Sequence, residues 1–159
     1  MNSAVQKALN DQIREELYSS YLYLSMAAFF AFRGLRGFSS WMKEQASEEV
    51  KHAMRFFDFV STHGGNVILD ALAMPPSDFE SPQKAFEAAL EHEKFITGRI
   101  HDLHKLAGKE NDVATQSMLQ WFIDEQVEEE EQVQKVLDQF KTLPNGELDA
   151  LLGKRGGNS

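Results

Sequence analysis

Apolar positions recur every three or four residues along most of the chain, which is the spacing of one face of an α-helix. Sparse glycines and prolines divide this pattern into four long helices and a short fifth one. The predicted ranges are about 3–33, 38–63, 82–107, 112–143 and 147–152. Ser3 is the expected N-cap of the first helix and Gly34 its expected end, and the tail from Gly153 is expected to be frayed. The pattern therefore predicts an all-α protein.

The lengths of the connections predict how the helices are arranged. Helices one and two are joined by about four residues, as are helices three and four, so each pair should form an antiparallel hairpin. Residues 66–81 between the hairpins can span about 50 Å, whereas a helix of 26 residues is only about 39 Å long. We therefore expect a long crossover that makes helices two and three parallel, and apolar residues such as Ile68 and Leu69 predict that it packs. The whole chain, residues 1–159, is predicted to be one four-helix-bundle domain.

Each long helix has an inward row that is apolar at both ends and interrupted by polar residues in its middle. The four rows are Leu9, Ile13, Glu16, Ser20, Tyr23, Ala27 and Phe30; Phe38, Met42, Gln45, Glu49, His52, Phe56 and Phe59; Phe86, Ala89, Glu93, Ile96, Ile100, Leu103 and Ala107; and Leu119, Phe122, Gln126, Glu129, Val133, Val136 and Phe140. Their spacing repeats between the two hairpins, since a shift of 77 residues places Glu16 on Glu93 and His52 on Glu129. The same shift places Glu49 on Gln126. The two hairpins thus present almost the same set of polar groups to one point.

This set of residues predicts a metal site. Glu49 and His52 lie one turn apart on one helix face, but such a pair alone is usually surface. Burying a carboxylate without a partner costs several kcal/mol, and no Lys or Arg lies on the rows to neutralise the four acids. Two divalent cations would balance them, with Glu49 as the bridge and Gln126 as a neutral ligand or hydrogen-bonding group. Oxygen ligands with a single imidazole favour iron or manganese over a structural zinc ion.

Further residues near these rows each allow two interpretations. Tyr23 lies two turns beyond Glu16, where its phenol can hydrogen-bond a ligand, donate an electron or simply fill the core. Glu48, Glu125 and Glu128 are sequence neighbours of the inward acids and form either a third, looser cation site or a solvated surface.

Composition limits the class of protein. The chain has a net charge of −9 and no cysteine, which disfavours nucleic acid and anionic membranes as partners and excludes disulfides and thiolate ligands. No apolar run approaches the roughly 20 residues of a membrane span, and the N-terminus lacks the apolar stretch of a signal peptide. We therefore expect a cytoplasmic protein.

The combined motifs resemble those of a non-haem ferritin of the prokaryotic type, over about residues 4–152. The similar stretches are Glu16-Leu17-Tyr18-Ser19-Ser20 with Tyr23, Glu48-Glu49-Val50-Lys51-His52, Glu93, and Trp121 with Asp124-Glu125-Gln126-Val127-Glu128-Glu129. The resemblance implies an iron-storage ferritin that oxidises Fe(II) with dioxygen or peroxide and stores a ferric mineral inside a hollow homo-oligomer of 24 subunits.

The resemblance also implies a role for each residue of the site. One iron would lie among Glu16, Glu49 and His52, and the second among Glu49, Glu93 and Glu129. Gln126 would lie close by, and Tyr23 would be the tyrosine beside the centre. A third iron would be held by Glu48, Glu125, Glu128 and Glu129.

Differences from sister families narrow the prediction. Bacterioferritins have a second Glu-x-x-His motif on the fourth helix and a haem-ligating Met after the bridging Glu, where this chain has Gln126-Val127-Glu128-Glu129 and Val50. Haem is therefore not expected. Two alternatives to a ferritin remain open at this point. One is a non-catalytic acidic bundle that binds metal, and the other is a di-iron carboxylate oxidase that acts on organic substrates.

Overall fold

The computed structural model describes residues 1–155, and these form five α-helices. The helices are α1 (Ser3–Phe32), α2 (Arg36–Thr62), α3 (Pro82–Lys109), α4 (Val113–Phe140) and α5 (Asn145–Leu152). The predicted all-α architecture, with four long helices and a short fifth one, is confirmed. Within residues 1–155 no helix combines the length and the apolar character that are needed to cross a membrane.

The helix ends agree with the prediction at Gly34 and differ from it at Ser3. The N-cap of α1 is Asn2, whose Oδ1 accepts hydrogen bonds from the Ala4 and Val5 backbone N–H groups at 2.9 and 3.1 Å. Asparagine and serine are both favourable N-cap residues, so the sequence alone did not show which of these two neighbouring residues caps the helix. Gly34 has a φ of +74°, which lets the chain reverse directly after α1. Because this turn is so short, α2 begins two residues earlier than expected.

The crossover follows α1 along its length. Near the start of α1, the side-chain amide of Asn10 donates to the Asn66 carbonyl at 2.9 Å. Near the end of α1, the Phe29 and Phe79 rings pack edge to face, with centroids 5.5 Å apart. The segment between α2 and α3 therefore runs from one end of the bundle to the other, and α3 is parallel to α2, as predicted.

The expectation that the apolar crossover residues pack is wrong for most of them in the single chain. Ile68, Leu69 and Met74 are 60 %, 64 % and 89 % exposed, while Val67 is half-buried against the core. The crossover is instead attached to α1 by polar contacts such as the one at Asn10. An apolar strip therefore lies on the surface of the single chain.

The four inward rows are confirmed as the core. Every member is buried except Phe59 and Phe140, which lie at row ends and are half-buried. Apolar side chains form one cluster at each end of the bundle, for example the stacked rings of Phe56 and Phe122 with centroids 4.1 Å apart. The polar residues in the middle of the rows are enclosed between these two clusters.

The fifth helix packs closely against the start of α2. A Cβ atom on Gly37 would lie 1.7 Å from the Asp149 carbonyl oxygen, so only glycine allows this approach. The Asp149 carboxylate accepts a hydrogen bond from the Phe38 backbone N–H at 2.8 Å. Contrary to the expectation of a frayed tail, the chain stays ordered through Arg155, which contacts α2. Residues 156–159 lie outside the described part of the chain.

Candidate metal centre

Four carboxylates meet in the middle of the bundle, one from each long helix. Glu16, Glu49, Glu93 and Glu129 are at most 3 % exposed, and His52 on α2 is 2 % exposed. The periodicity of the rows brings them together, because each acid occupies an inward position halfway along its helix. The convergence that the sequence predicted is present in the structure.

The ligand atoms form two groups that share Glu49. In each group the atoms lie within 4.8 Å of one another, which is close enough for one ion to contact them all. One group is Glu16, Glu49 and His52, and the other is Glu49, Glu93 and Glu129. Glu49 therefore lies where a carboxylate that bridges two ions must lie.

A third group contains only part of the predicted outer site. It consists of His52, Glu125 and Glu129, and Glu125 is 24 % exposed at its edge. Glu48 is outside this group and lies 3.4 Å from the Lys51 ammonium. Glu128 is also outside it and is exposed to solvent.

Two buried ligand atoms of the centre have no hydrogen-bond partner among residues 1–155. These atoms are Oε2 of Glu16 and Nε2 of His52. Leaving a buried acceptor or donor unpaired is unfavourable, and a cation bound nearby would satisfy either atom. The two atoms belong to different groups, since Glu16 Oε2 lies 3.9 Å from His52 Nδ1, whereas His52 Nε2 lies 3.9 Å from Glu125 Oε1. The unpaired atoms thus belong to the residues that the sequence predicted as ligands.

The other predicted residues hold the ligands by hydrogen bonds. Tyr23 donates its hydroxyl hydrogen to Glu93 Oε1 at 2.6 Å. The Gln126 amide donates to Glu93 Oε2 and to Thr97 Oγ1, each at 3.1 Å. Gln126 therefore contacts a site carboxylate, and its two predicted roles, as a ligand and as a hydrogen-bonding group, stay predictions.

Burial shifts the acids towards their neutral form in the metal-free protein. It raises the pKa of Glu16 well above 4.5, and the neighbouring Glu49 carboxylate adds to this effect. The pKa of Glu49 is raised in the same way, by burial and then by the charges of Glu93 and Glu129. For Glu129, burial and the charge of Glu93 raise the pKa to about 7. Ionising all these carboxyls together is therefore unfavourable unless cations are bound.

Comparisons with known proteins agree with this geometry. The family model described as a ferritin-like domain matches residues 6–143. The chain belongs to the ferritin family. A bacterial non-heme ferritin of Bacteroides fragilis strain 638R is 37 % identical over 158 residues, covering 98 % of this chain and 99 % of that protein. One of Staphylococcus saprophyticus is 36 % identical over 143 residues, with coverage of 90 % and 86 %.

Solved structures extend the similarity to the fold. An open pore ferritin from the archaeon Archaeoglobus fulgidus is 46 % identical to this ferritin, with a TM-score of 0.95 and 98 % of each chain covered. The predicted fold, the predicted iron-storage function and, at the level of the family, the predicted ferroxidase activity are thereby confirmed.

The raised pKa values predict that the metal affinity of this ferritin depends on pH. An acid with a raised pKa in the folded state binds its proton more tightly there than in the unfolded chain, so the contribution of Glu129 to metal-free stability falls as pH rises from about 4.5 to about 7. A divalent cation must displace these protons. We expect Co(II) binding to release more protons at pH 6 than at pH 8, as measured by calorimetry in two buffers with different ionisation enthalpies. Equal release at both pH values would contradict the raised pKa of Glu129.

Four side chains around the centre were not assigned a role from the sequence. Gln12 and Gln45 donate to the site carboxylates, and Arg99 and Arg155 donate to these two glutamines. The rows contain no cation, as the sequence showed, but two guanidinium groups approach from outside them. The only local sequence pattern that could have indicated a role for the two glutamines was the Gln-x-x-x-Glu spacing on both α1 and α2.

Proposed function

We propose that the two ligand groups sharing Glu49 are the ferroxidase centre of this ferritin. Glu16, Glu49 and His52 bind one Fe(II), and Glu49, Glu93 and Glu129 bind the other. The observation that carries this proposal is that two groups of close, buried ligand atoms have the bridging residue in common. The unpaired Oε2 of Glu16, which lies 3.9 Å from His52 Nδ1, supports it.

Charge balance explains how the centre takes up its substrate and passes it on. Four carboxylates match the charge of two Fe(II) ions, so loading neutralises a site that is costly to ionise when it has no cations. Each iron gives up one electron. Dioxygen accepts the two electrons with two protons to form hydrogen peroxide, or hydrogen peroxide accepts the two electrons with two protons to form two water molecules. The oxidised pair carries two extra positive charges that the residues do not balance, which favours hydroxide as a further ligand and release towards a mineral.

The outer acids offer a third iron site and a path for iron. Glu125 is half-buried between the centre and solvent, and it lies 3.9 Å from His52 Nε2. Glu125 and Glu129 would provide the inner part of this site. Glu48 and Glu128, the sequence neighbours of Glu49 and Glu129, would provide its outer part.

We also propose that the protein is a homo-oligomeric shell of 24 subunits. Its similarity to ferritins supports this, and so do the exposed apolar residues Tyr21, Leu24 and Leu69 on α1 and the crossover. A cytoplasmic location stays a prediction. Absence of haem stays one as well, and Val50 and the non-heme relatives support it.

An anaerobic titration followed by oxygen uptake tests this proposal. We expect the apo protein to bind about two Fe(II) per subunit tightly, with a third more weakly, and then to consume oxygen within seconds of its addition. Native mass should be about 432 kDa for 24 copies of the 18.0 kDa chain, against about 36 kDa for a dimer. Tight binding without oxygen uptake would instead indicate a non-catalytic metal-binding bundle.

A further inference from the structure

Two buried glutamines occupy equivalent places beside the metal centre. Gln12 lies four residues before Glu16 on α1, and Gln45 lies four residues before Glu49 on α2. Both side chains are 0 % exposed. Because residues four apart share a helix face, each amide is held next to the acid that follows it.

The Gln45 amide is fixed from outside the four-helix bundle. Nη2 of Arg155 donates to its Oε1 at 2.8 Å. Its Nε2 then donates inwards, to Glu49 Oε1 at 3.3 Å and to Glu129 Oε2. The guanidinium is itself anchored, since Nη1 donates to the Trp41 carbonyl at 3.0 Å and Cζ lies 4.2 Å from the centre of the Trp41 ring.

The Gln12 amide has the same arrangement on the other side of the centre. Arg99 Nε on α3 donates to Gln12 Oε1 at 3.1 Å. Gln12 Nε2 donates to Glu16 Oε1, also at 3.1 Å. Each arginine, its glutamine and the carboxylate that the glutamine contacts are called a relay here. The two relays share no contact, so the same order of hydrogen bonds arises independently in each.

An arginine that donates to the oxygen of a side-chain amide determines that the NH₂ group of this amide faces the other way. Arginine has only donors, so it must face the amide oxygen, and the NH₂ group must then face the carboxylate. The NH₂ group occupies one oxygen of each acid and leaves the other for a metal ion. In Glu16 that other oxygen is the unpaired Oε2. In Glu49 it is Oε2, 3.2 Å from His52 Nδ1. Without the arginine the amide is free to turn its oxygen towards a carboxylate, which would repel it.

We propose that Arg155 and Arg99 are positioning residues of the metal centre, each acting through one glutamine that it orients towards the ligand carboxylates. Neither arginine contacts the iron. The inference rests on the proposed function in that it takes Glu16, Glu49 and Glu129 as metal ligands. It adds the segment after α5 to the parts of the chain that build the centre.

A double-mutant cycle on the apo protein tests the relay, with Co(II) as the probe. The four proteins are wild type, Arg155→Met, Gln45→Leu and the double variant. Loss of a group that orients a ligand commonly weakens metal binding by 10- to 100-fold, so we expect each single variant to bind Co(II) about tenfold more weakly. The double variant should bind no more weakly than Gln45→Leu, because Arg155 acts only through Gln45. The visible absorption spectrum of bound Co(II) should change in the same three variants.

Two further variants distinguish loss of the Gln45 orientation from loss of a positive charge and from loss of folding. Lys154→Met removes the same charge one residue earlier from an exposed side chain, and it should leave Co(II) affinity and spectrum unchanged. Arg155→Lys keeps a donor for the Gln45 oxygen and should recover binding to within about threefold of wild type. Native mass and melting temperature are measured for every protein. Arg99→Met with Gln12→Leu forms a second, independent cycle, which decides the question if Arg155→Met is poorly folded.

The outcomes distinguish this inference from the proposed function. Unchanged Co(II) binding in Arg155→Met and Arg99→Met, or losses that add in both double variants, would overturn the relay alone. A wild-type protein that does not bind Co(II) at all would instead overturn the proposed centre.

Discussion

Replacing His52 or Glu49 by alanine is expected to slow the initial oxidation of Fe(II) by at least about 100-fold. His52 is the only nitrogen ligand in the groups among residues 1–155, and Glu49 belongs to both groups of the proposed di-iron centre. Removing either one leaves fewer than three protein ligands for at least one ion. The measurement is the rate of oxygen uptake after Fe(II) is added to the apo protein.

The matched control for this prediction is His101→Ala. His101 is also a histidine on a long helix, but it is exposed and is not part of any ligand group found in residues 1–155. It should oxidise Fe(II) at the wild-type rate. Circular dichroism and native mass show whether each variant has kept its fold. Wild-type initial rates in folded His52→Ala and Glu49→Ala would contradict the assignment of the centre.

Glu16→Gln is expected to make the metal-free protein more stable at pH 7.5, by roughly 1–4 kcal/mol. Burial and the Glu49 carboxylate make an ionised Glu16 unfavourable, as its raised pKa shows. A glutamine can still accept the hydrogen bond from Gln12, and its NH₂ group replaces the unpaired Oε2. With Co(II) at saturation, wild type should be more stable than Glu16→Gln, because wild type keeps the Glu16 carboxylate as a metal ligand. Calorimetric melting temperatures with and without Co(II) measure both effects.

The gain from Glu16→Gln should itself depend on pH. Near pH 4.5 the Glu16 carboxyl is largely protonated in the folded protein and half protonated in the unfolded chain. Wild type and Glu16→Gln should therefore differ little in free energy of unfolding at this pH. The gain should therefore be small there and grow as pH rises. Glu91→Gln, an exposed change on α3, should alter stability by less than about 0.5 kcal/mol at either pH. A metal-free Glu16→Gln protein that melts below wild type at pH 7.5 would show that the carboxylate is stabilised by its neighbours.

The parts of the structure that depend on periodicity could be predicted from the sequence. The spacing of three and four residues identified the inward rows, and the shift of 77 residues indicated that the polar groups of the two hairpins lie at the same level of the bundle. The parallel direction of α3 followed from the length of the crossover. These features need only the geometry of a helix and the reach of a chain.

The parts that depend on contacts between distant residues could not be predicted. Arg155 is 110 residues from Gln45, and no local pattern links a residue in the tail to an amide on α2. Glu48 and Glu125 have equivalent positions in sequence, yet only Glu125 joins a ligand group, whereas Glu48 lies 3.4 Å from the Lys51 ammonium. Exposure of Ile68 and Leu69 also could not be foreseen, because apolar residues are equally suited to a core and to a subunit interface.

The single imidazole makes the two halves of the centre chemically unequal. His52 belongs to the group with Glu16, whereas the group with Glu93 and Glu129 offers oxygen atoms only. Imidazole is a good ligand for Fe(II), and carboxylates favour harder cations, among which Fe(III) is harder than Fe(II). Iron should therefore arrive first on the imidazole side, and the all-oxygen side should be filled last and hold the oxidised ion more firmly. We therefore expect one histidine, in an otherwise almost repeated pair of hairpins, to determine the order in which the proposed centre is loaded.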